Sequence, residues 1–357
     1  MNSLSTFYNH RKNQFESELT QLRNRSRIIT VIRVLSFASA FLLLYLFFED
    51  ALLAMFGFIV PLIVFAIAVK RAGQLNDEID QVQNLIAIQE NELSALEYDF
   101  TSNENGIEFS EMNHQYAADF GILGRGSIFQ LLNRTVTKGG ARKLANELLQ
   151  LELNVDVLNQ RQLAVKELAD KTEWQHQFRA NKRNVSNKES IVFPAIQVFS
   201  NRFYKALYYV IPIMVFGVTL GYIFDGIGVN YLTYSLIAAL LFTGTFLKKT
   251  TEVAKLAEDL LRDVSSYTAY IKLIEEERFV EKLNQEAQGK LKGKTPASEA
   301  LNQLKSILNA FDNRNNMIMG IILNAFLLWD VRCLLRFSNW QAVYGESLHN
   351  WLSAIYE

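Results

Sequence analysis

The sequence predicts an all-α integral membrane protein with two transmembrane helical hairpins and a cytoplasmic helical domain. Apolar residues make up 50% of the 357 residues, which is high for a soluble globular chain. The chain has only 4 prolines and 17 glycines, so the turn residues that an all-β protein needs are scarce. Its longest apolar runs occur in two closely spaced pairs. These three observations favour long helices, some of which face lipid.

The first pair of apolar runs is Ile28 to Phe48 and Ala51 to Val69. A bilayer core of about 30 Å takes about 20 helical residues, so each run is long enough to span it. Only Glu49 and Asp50 separate the runs, which predicts a tight turn and an antiparallel hairpin. Arg33 lies one turn inside the first run, where its long side chain can reach the headgroups.

The second pair repeats this pattern, with Ala206 to Phe224 and Ile227 to Leu247 separated by Asp225-Gly226. Both turns carry acid, whereas basic residues flank the open ends of the hairpins. These flanking residues are Arg23, Arg25, Arg27, Lys70, Arg71, Arg202, Lys205, Lys248 and Lys249. By the positive-inside rule all four open ends face the cytoplasm, in a multi-pass protein of the inner or plasma membrane. The alternative is that these runs are buried helices of a soluble protein. That alternative does not explain why basic residues flank all four open ends of the hairpins.

A fifth apolar segment, Met317 to Leu335, is predicted to be a buried helix of the soluble part. It contains Asn324, Asp330 and Arg332, and its uncharged stretch from position 315 to 329 is too short to span a bilayer. Arg314 and Arg336 flank the segment without asymmetry, so the positive-inside rule gives it no orientation.

Apolar stripes predict long helices on the cytoplasmic side. A heptad stripe continues the second membrane helix as a stalk, at Leu75, Ile79, Val82, Ile86, Leu93, Leu96 and Phe100, with Gln89 in the missing position. A weaker stripe at Phe15, Leu19 and Leu22 is expected to pair with it in antiparallel orientation. Another stripe extends the fourth membrane helix, at Val253, Leu256, Leu260, Val264, Tyr267, Ile271 and Ile274. An amphipathic core helix is the common alternative for this last stripe.

The segment Gly289 to Thr295 ends in Gly-Lys-Thr but does not satisfy the phosphate-binding loop motif. That loop needs four residues between its two glycines so that successive N–H groups wrap the phosphates. Here Gln288 occupies the first glycine position, and charged helix stands where the preceding strand would be. Thr295 and Pro296 instead predict the start of a helix that runs to about Phe311.

No catalytic, cofactor-binding or metal site is predicted. The histidines at positions 10, 114, 176 and 349 are scattered, so they do not form a metal-ligand cluster. Ser127 follows Gly-Arg-Gly but lacks the flanks of a nucleophile elbow. The single cysteine, Cys333, fits a reducing compartment. We therefore expect no enzyme activity from this chain and no resident cofactor.

One region carries a specific motif. It comprises 119–124, the run Ser127-Ile-Phe-Gln-Leu-Leu-Asn-Arg-Thr-Val-Thr-Lys-Gly-Gly-Ala-Arg-Lys-Leu-Ala145, and a helix from Val155 to Leu168 that contains Arg161 and Val165. The region resembles the core, or lever, domain of the MutS DNA mismatch-repair ATPases. That family has Leu-Leu-Asn/Asp-x-Thr-x-Thr-x-x-Gly-x-Arg-x-Leu, then a helix with x-x-Arg-x-x-x-Val-x-x-Leu, and both occur here in order. The strict motif covers about 55 residues of the chain, and the hairpins make it similar to the membrane-attached MutS-related proteins.

The motif residues have a structural interpretation and a functional alternative. In the structural interpretation Thr135 and Thr137 cap or brace turns, Gly139 and Gly140 allow close packing, and Leu144 lies on an apolar face. Asn133 and Arg161 complete this structural set, as the resemblance implies. In the functional alternative, basic side chains contact phosphate or DNA at Arg134, Lys138 and Arg142. Such basic residues more often form a solvated helix face, so the structural interpretation is preferred.

The resemblance implies what this chain lacks as well as what it has. The mismatch-reading domain and the Walker motifs of the family are absent, and the sequence ends about where the family's ATPase would begin. We expect either a truncated sequence or a natural chain with only the membrane and lever portions. ATP and magnesium are then expected only with the missing ATPase domain or subunit. DNA binding through basic strips, including Lys290, Lys292 and Lys294, is expected to be weak and not mismatch-specific.

The leading functional prediction is a membrane-anchored MutS-like lever. It couples a conformational change of a nucleotide-dependent domain or partner, with or without DNA bound, to the bilayer. The alternative is a helical coiled-coil membrane scaffold without a DNA or nucleotide role. Expected partners are the lipid bilayer and a second copy or another helical protein. The predicted regions are a cytoplasmic N-terminal helix (1–27), the first hairpin (28–71), a heptad stalk (72–112), a MutS-core-like region (113–205), the second hairpin (206–249) and long lever-like helices (250–357).

Overall fold

A computed structural model describes residues 2–110, 119–150, 152–181, 198–199, 202–224, 226–312 and 317–356. Every regular element in these ranges is helical and none is a β-strand, which confirms the all-α class. The helices are α1 (Asn2–Leu46), α2 (Ala51–Leu96), α3 (Ile128–Leu132), α4 (Lys138–Leu149), α5 (Val155–Asp170), α6 (Thr172–Ala180), α7 (Arg202–Ile223), α8 (Val229–Gly244), α9 (Leu247–Glu276), α10 (Lys282–Gly289), α11 (Ala297–Asp312), α12 (Met317–Leu327), α13 (Trp329–Tyr344) and α14 (Ser347–Tyr356).

The helices belong to two compact units. The first comprises Met1–Thr135, Glu147–Leu149 and Lys171–Lys182, and the second comprises Val136–Asn146, Gln150–Asp170 and Arg183–Glu357. Some sequence predictions involve residues outside the described ranges. They concern His114, Asp225 in the second turn, Arg314 and position 315 beside the fifth apolar segment, and the boundary between positions 112 and 113.

The first unit is built on an antiparallel hairpin of α1 and α2. The chain reverses at the predicted turn, where the Asp50 carboxylate accepts hydrogen bonds from the N–H groups of Leu52 (3.1 Å) and Leu53 (3.2 Å). Asp50 therefore caps the N-terminus of α2. The predicted pairing of the two stripes is confirmed, because their apolar residues form one buried cluster. Its members are Leu19, Leu22, Leu75 and Val82, flanked by Phe15, Ile29, Ile79 and Ile86.

The stalk is shorter than its heptad stripe predicted. Helix α2 ends at Leu96, and Tyr98 adopts a left-handed conformation with φ of 63°. The backbone therefore leaves the helix before Phe100, so the predicted continuation to Phe100 and beyond is wrong. Helix α6 packs against α2, where the Asn84 side-chain amide donates to the carbonyl of Ala180 (2.9 Å).

The second unit is centred on α9, which packs against α11, α13 and α14. Most of its predicted stripe is buried, including Val253, Val264 and Ile271, which are fully inaccessible. Two tryptophans tie α13 to α11, because Trp329 donates to the carbonyl of Ala310 (3.0 Å) and Trp340 to that of Ala300 (2.7 Å). The stripe on α9 is thus the face of a core helix and not a coiled-coil seam.

The fourth apolar segment is not one helix. Helix α8 stops at Gly244, and α9 begins at Leu247 with a bend of 63° between them. The Thr245 hydroxyl donates to the carbonyl of Phe242 (2.7 Å) at this point, a hydrogen bond of the type that accompanies helix bends. The predicted continuation of the fourth membrane helix into the stripe is therefore wrong.

The fifth apolar segment is divided at Leu328, which has φ of 49° and separates α12 from α13. The side-chain Oδ1 of Asn324 accepts from the N–H of Asp330 (2.8 Å) and holds this break. The predicted buried helix describes α13, which lies in the core. It is wrong for α12, where Ile321 and Ile322 are each 48% exposed and the helix lies against α7 and α8.

Candidate functional site

The first hairpin changes the kind of residue that it buries along its length. In the half near the chain terminus, α1 and α2 bury large side chains such as Leu19, Leu22 and Val82. In the half near the turn the buried side chains are small, namely Ser36, Ala40, Ala54, Ala68 and Ala72, with Pro61 as the exception among the described residues. A Cβ on Gly57 would lie 3.1 Å from the Cβ of Leu43, so the two helices approach closely here. Small residues at the helix contact are typical of membrane helices, because lipid provides no drive to bury large apolar groups.

The same half of the hairpin exposes its large apolar side chains. Val34, Leu35, Leu42 and Leu52 are each more than half exposed, and no charged residue occurs between Arg33 and Lys70 except the acids of the turn. In water an apolar surface of this extent would be strongly unfavourable. Partly exposed rings also meet across the two helices in this half, Phe37 with Phe65 and Phe41 with Phe58. The change in the size of the buried residues falls near Arg33 and Ala72, the level where an aqueous stalk would meet a bilayer.

The second hairpin also exposes large apolar side chains, but it buries Ile211 and Val215 on α7 as well as small residues. Ser235, Ala239 and Thr243 are buried at four-residue spacing along α8, whereas Ile213 and Phe216 on α7 are 73% and 65% exposed. Aromatic residues lie at both ends of this hairpin, a distribution typical of residues at the two membrane–water interfaces. One end has Phe203, Tyr204, Tyr208, Tyr209, Phe242 and Phe246, and the other has Tyr222, Phe224, Tyr231 and Tyr234.

Three described helices are long and apolar enough to cross a membrane, within Ser3–Leu46, Leu52–Leu96 and Arg202–Ile223. A fourth span requires α8 and the start of α9 to be taken together across their bend. Helix α8 alone has 16 residues, a length of about 24 Å, which is shorter than a bilayer core of about 30 Å.

The first part of the motif forms a compact turn in the first unit. Asn133 is buried, and its side-chain Oδ1 accepts from the N–H (3.1 Å) and hydroxyl (2.7 Å) of Thr135. Its side-chain Nδ2 donates to the carbonyl of Glu104 (3.2 Å). The fully buried Phe129 ring lies against Gly106, where an added Cβ would come within 2.7 Å of the ring. Gly106 also has φ of 68°, so glycine is required there on two counts. The bracing role predicted for Thr135 is confirmed.

The second part of the motif starts helix α4. The Thr137 hydroxyl accepts from the N–H of Gly140 (3.1 Å), which makes Thr137 the predicted cap. A Cβ on Gly139 would lie 2.5 Å from the ring of Tyr356, so this glycine permits close packing as predicted. Leu144 is half-buried on this helix, and in α5 the Arg161 guanidinium lies 4.0 Å from the Glu152 carboxylate.

Arg134 is engaged in a partly buried ionic cluster that the sequence did not indicate. Glu92 accepts from Arg134 Nε (2.8 Å) and Nη2 (3.1 Å) and from Arg179 Nη1 (2.6 Å). Burial by itself would raise the pKa of the Glu92 carboxyl, but the hydrogen bond from Arg134 and the charges of both arginines outweigh it and lower the pKa. We call these three residues the Glu92 cluster. It joins α2, α6 and the motif within the first unit.

The three residues predicted to contact phosphate differ in their surroundings. The Arg134 guanidinium is bound to Glu92, and a phosphate would have to displace that pair. Lys138 and Arg142 lie on α4 in the second unit, with Arg142 exposed. Phosphate or DNA contact by these residues therefore stays a prediction. The signal that could have found the Glu92 cluster is an acid directly beside the apolar stripe of the stalk, immediately before Leu93 and three residues after Gln89.

His176 lies next to the Glu92 cluster and is 3% exposed. Its Nδ1 is 3.3 Å from the side-chain nitrogen of Gln89, which is itself fully buried. Burial, together with the charges of Arg11 and Arg179, lowers the pKa of His176 to about 4. The imidazole is therefore neutral at pH 7 and accepts the hydrogen bond from Gln89.

The Gly289 to Thr295 segment connects two helices. It follows α10, and the loop to α11 exposes Lys290, Lys292 and Lys294. The Glu275 carboxylate accepts from the N–H of Ser298 (3.3 Å) in the first turn of α11, the helix predicted from Thr295 and Pro296. Among the described residues no group of three or more His, Cys, Asp or Glu side chains could hold a metal ion.

The comparisons give one match. A family model described as MutS domain III matches residues 93–318. No curated protein and no solved structure matches the chain. The matched range begins near the end of α2, includes the whole second hairpin, and ends in α12. It therefore extends well beyond the motif that carries the sequence resemblance.

Proposed function

Because the chain belongs to the MutS domain III family, we propose that it is a membrane-anchored MutS-like lever. In this proposal its two hairpins lie in the inner or plasma membrane and its helical core lies in the cytoplasm. The core couples a conformational change of a nucleotide-dependent domain or partner to the bilayer. The observation that carries the membrane part is the change from large to small buried residues along the first hairpin.

The lever part rests on α9. This helix has 30 residues, so it is about 45 Å long. It begins directly after the second hairpin and is packed along its length by α11, α13 and α14. A helix supported in this way moves as a rigid element, so a displacement at the far end of α9 would reach the bend at Thr245. That bend is the point where the motion would enter the membrane.

The topology is tested by thiol labelling with a membrane-impermeant maleimide on intact cells. The native chain should not react with the maleimide, because Cys333 is 2% exposed and burial raises the pKa of its thiol to about 12. We expect the turn variants Glu49→Cys and Gly226→Cys to be labelled from outside. Glu108→Cys and Lys292→Cys should be labelled only after permeabilisation. Labelling of either of the last two in intact cells would contradict the orientation.

The coupling is tested by tryptic cleavage at Lys290, Lys292 and Lys294 in membrane vesicles with the cytoplasmic face outward. These exposed lysines lie just beyond the far end of α9, where the Gln288 amide donates to the carbonyl of Ile274 (2.7 Å). We expect a non-hydrolysable ATP analogue to change the cleavage rate at least twofold in native vesicles. The purified chain should show no change, and inorganic phosphate at equal ionic strength is the control.

The two proposed functions differ in this cleavage experiment. A cleavage rate that ignores nucleotide in native vesicles would favour the helical scaffold without a nucleotide role. A response of the purified chain would contradict the expectation that it binds no nucleotide. Any DNA contact through the exposed lysines is proposed to be electrostatic, so its affinity should fall steeply with salt and should not distinguish mismatched duplexes.

A further inference from the structure

A cavity of about 1070 Å³ opens beside the first turns of α7. One wall is the start of α7, with Lys205, Tyr208 and Tyr209, and the other wall is the outer face of α13, with Arg332 and Arg336. Both helices belong to the second unit. Leu335 and Ala342 add apolar surface, so the cavity offers charged groups and apolar groups together.

The charged residues that line the cavity are Lys205, Arg332 and Arg336, which are all basic. Arg332 and Arg336 are four residues apart on one face of α13, where two like charges repel each other. Lys205 faces them from α7. Within the described ranges no ion pair joins any of these three side chains to an acid. An anion is therefore the counter-charge that would remove the repulsion.

The position of the cavity indicates where that anion comes from. Lys205 is the last charged residue before the uncharged stretch that starts at Ala206. Tyr208 packs against Phe199 at a centroid distance of 5.8 Å, and Phe199 packs against Phe246 at 5.8 Å, so the cavity adjoins the aromatic cluster at this end of the hairpin. Aromatic and basic residues together are typical of the headgroup level on the cytoplasmic side of a membrane.

We propose that this cavity binds the phosphate headgroup of an anionic phospholipid through Lys205, Arg332 and Arg336. The guanidinium groups of α13 contact the phosphate, and Lys205 contacts it from the membrane side. The tyrosines and the apolar wall contact the glycerol and the first acyl carbons. This inference rests on the proposed membrane insertion of α7. It gives α13 a lipid contact that fixes the core at the bilayer surface.

The test is native mass spectrometry of the full chain in neutral detergent with added phosphatidylglycerol or phosphatidylcholine. We expect phosphatidylglycerol to bind at least tenfold more tightly than phosphatidylcholine. The double variant Arg332→Gln/Arg336→Gln should lose at least tenfold of this affinity, and Arg332→Lys/Arg336→Lys should retain most of it. The matched control is Lys292→Gln/Lys294→Gln, which removes two exposed charges far along the chain and should bind as the native chain does.

The outcomes distinguish a lipid phosphate from a soluble one, and a failure of the lipid site from a failure of the proposed membrane insertion. Equal affinity for the two lipids, or full binding by the Gln double variant, would overturn the lipid site. Competition by glycerol phosphate at the affinity of the lipid would identify a soluble-anion site and also overturn it. Failure of the native chain to float with neutral vesicles would reject membrane insertion itself. Circular dichroism of the Gln variant checks its fold, which should be unchanged because Arg332 and Arg336 are exposed.

Discussion

Replacing Glu92 with glutamine is expected to destabilise the first unit by about 2–4 kcal/mol, between the roughly 1 kcal/mol of an exposed ion pair and the roughly 3–5 kcal/mol of a fully buried one. The Glu92 side chain is 15% exposed, and it is the acid bound by both Arg134 and Arg179 in the Glu92 cluster. The variant leaves two guanidinium groups facing each other without their counter-charge. Thermal unfolding in detergent, followed by circular dichroism, should show a melting temperature lower by roughly 10 °C, at about 2–4 °C per kcal/mol.

The control for this variant is Glu90→Gln on the same helix. Glu90 is 53% exposed and pairs with Lys12 at 2.7 Å, so its loss should cost less than about 1 kcal/mol. The triple variant Glu92→Met/Arg134→Met/Arg179→Met removes all three charges and should recover most of the lost stability. Equal melting temperatures for Glu92→Gln and Glu90→Gln would show that the Glu92 cluster does not hold the motif to the stalk.

The stability of the first unit is expected to fall as the pH is lowered through the range from about 6.5 to about 4. In the folded chain the pKa of His176 is about 4, below its ordinary value of 6.5, because the ring is buried near Arg11 and Arg179. The unfolded state therefore binds more protons in this range, and stability decreases as pH falls. The stabilising contribution is fully present above the unfolded pKa. Between pH 7.5 and pH 5 we expect a loss on the order of 2 kcal/mol.

Both acidic and basic side chains lie around His176 and act on the pKa of its imidazole. Glu92 and Glu173 oppose the shift, whereas burial and the two arginines produce it. We expect His176→Gln to flatten the difference between melting temperatures at pH 7.5 and pH 5. The matched control is His10→Gln on the exposed face of α1, which should keep the native pH dependence. An unchanged dependence in His176→Gln would assign the acid sensitivity to other groups.

Much of the fold could be predicted from the sequence because it depends on local patterns. The turn at Asp50, the pairing of Leu19 and Leu22 with the stalk, and the cap at Thr137 all follow from spacing and residue type. The family motif was also readable, since its order and spacing are specific. Membrane insertion and its orientation rest on the same local patterns and stay predictions.

The breaks in the helices were not predictable in this way. The apolar pattern continues through Thr245 and through Leu328, so nothing in the periodicity indicates where the helix stops. Both breaks lie in the second unit, and each carries a side-chain hydrogen bond, from Thr245 at the first and to the side-chain oxygen of Asn324 at the second.

The candidate sites show the same division between local pattern and tertiary contact. The sequence by itself determined the helical class, the two apolar hairpins and the motif, because each depends on residues that are close together in the sequence. Only the tertiary structure decided that Arg134 binds Glu92 across 42 positions of the chain, and that Lys205 faces Arg332 and Arg336 across one cavity. The physical reason is that charge pairing and cavities depend on distances in space, which residues remote in sequence acquire only when the helices pack.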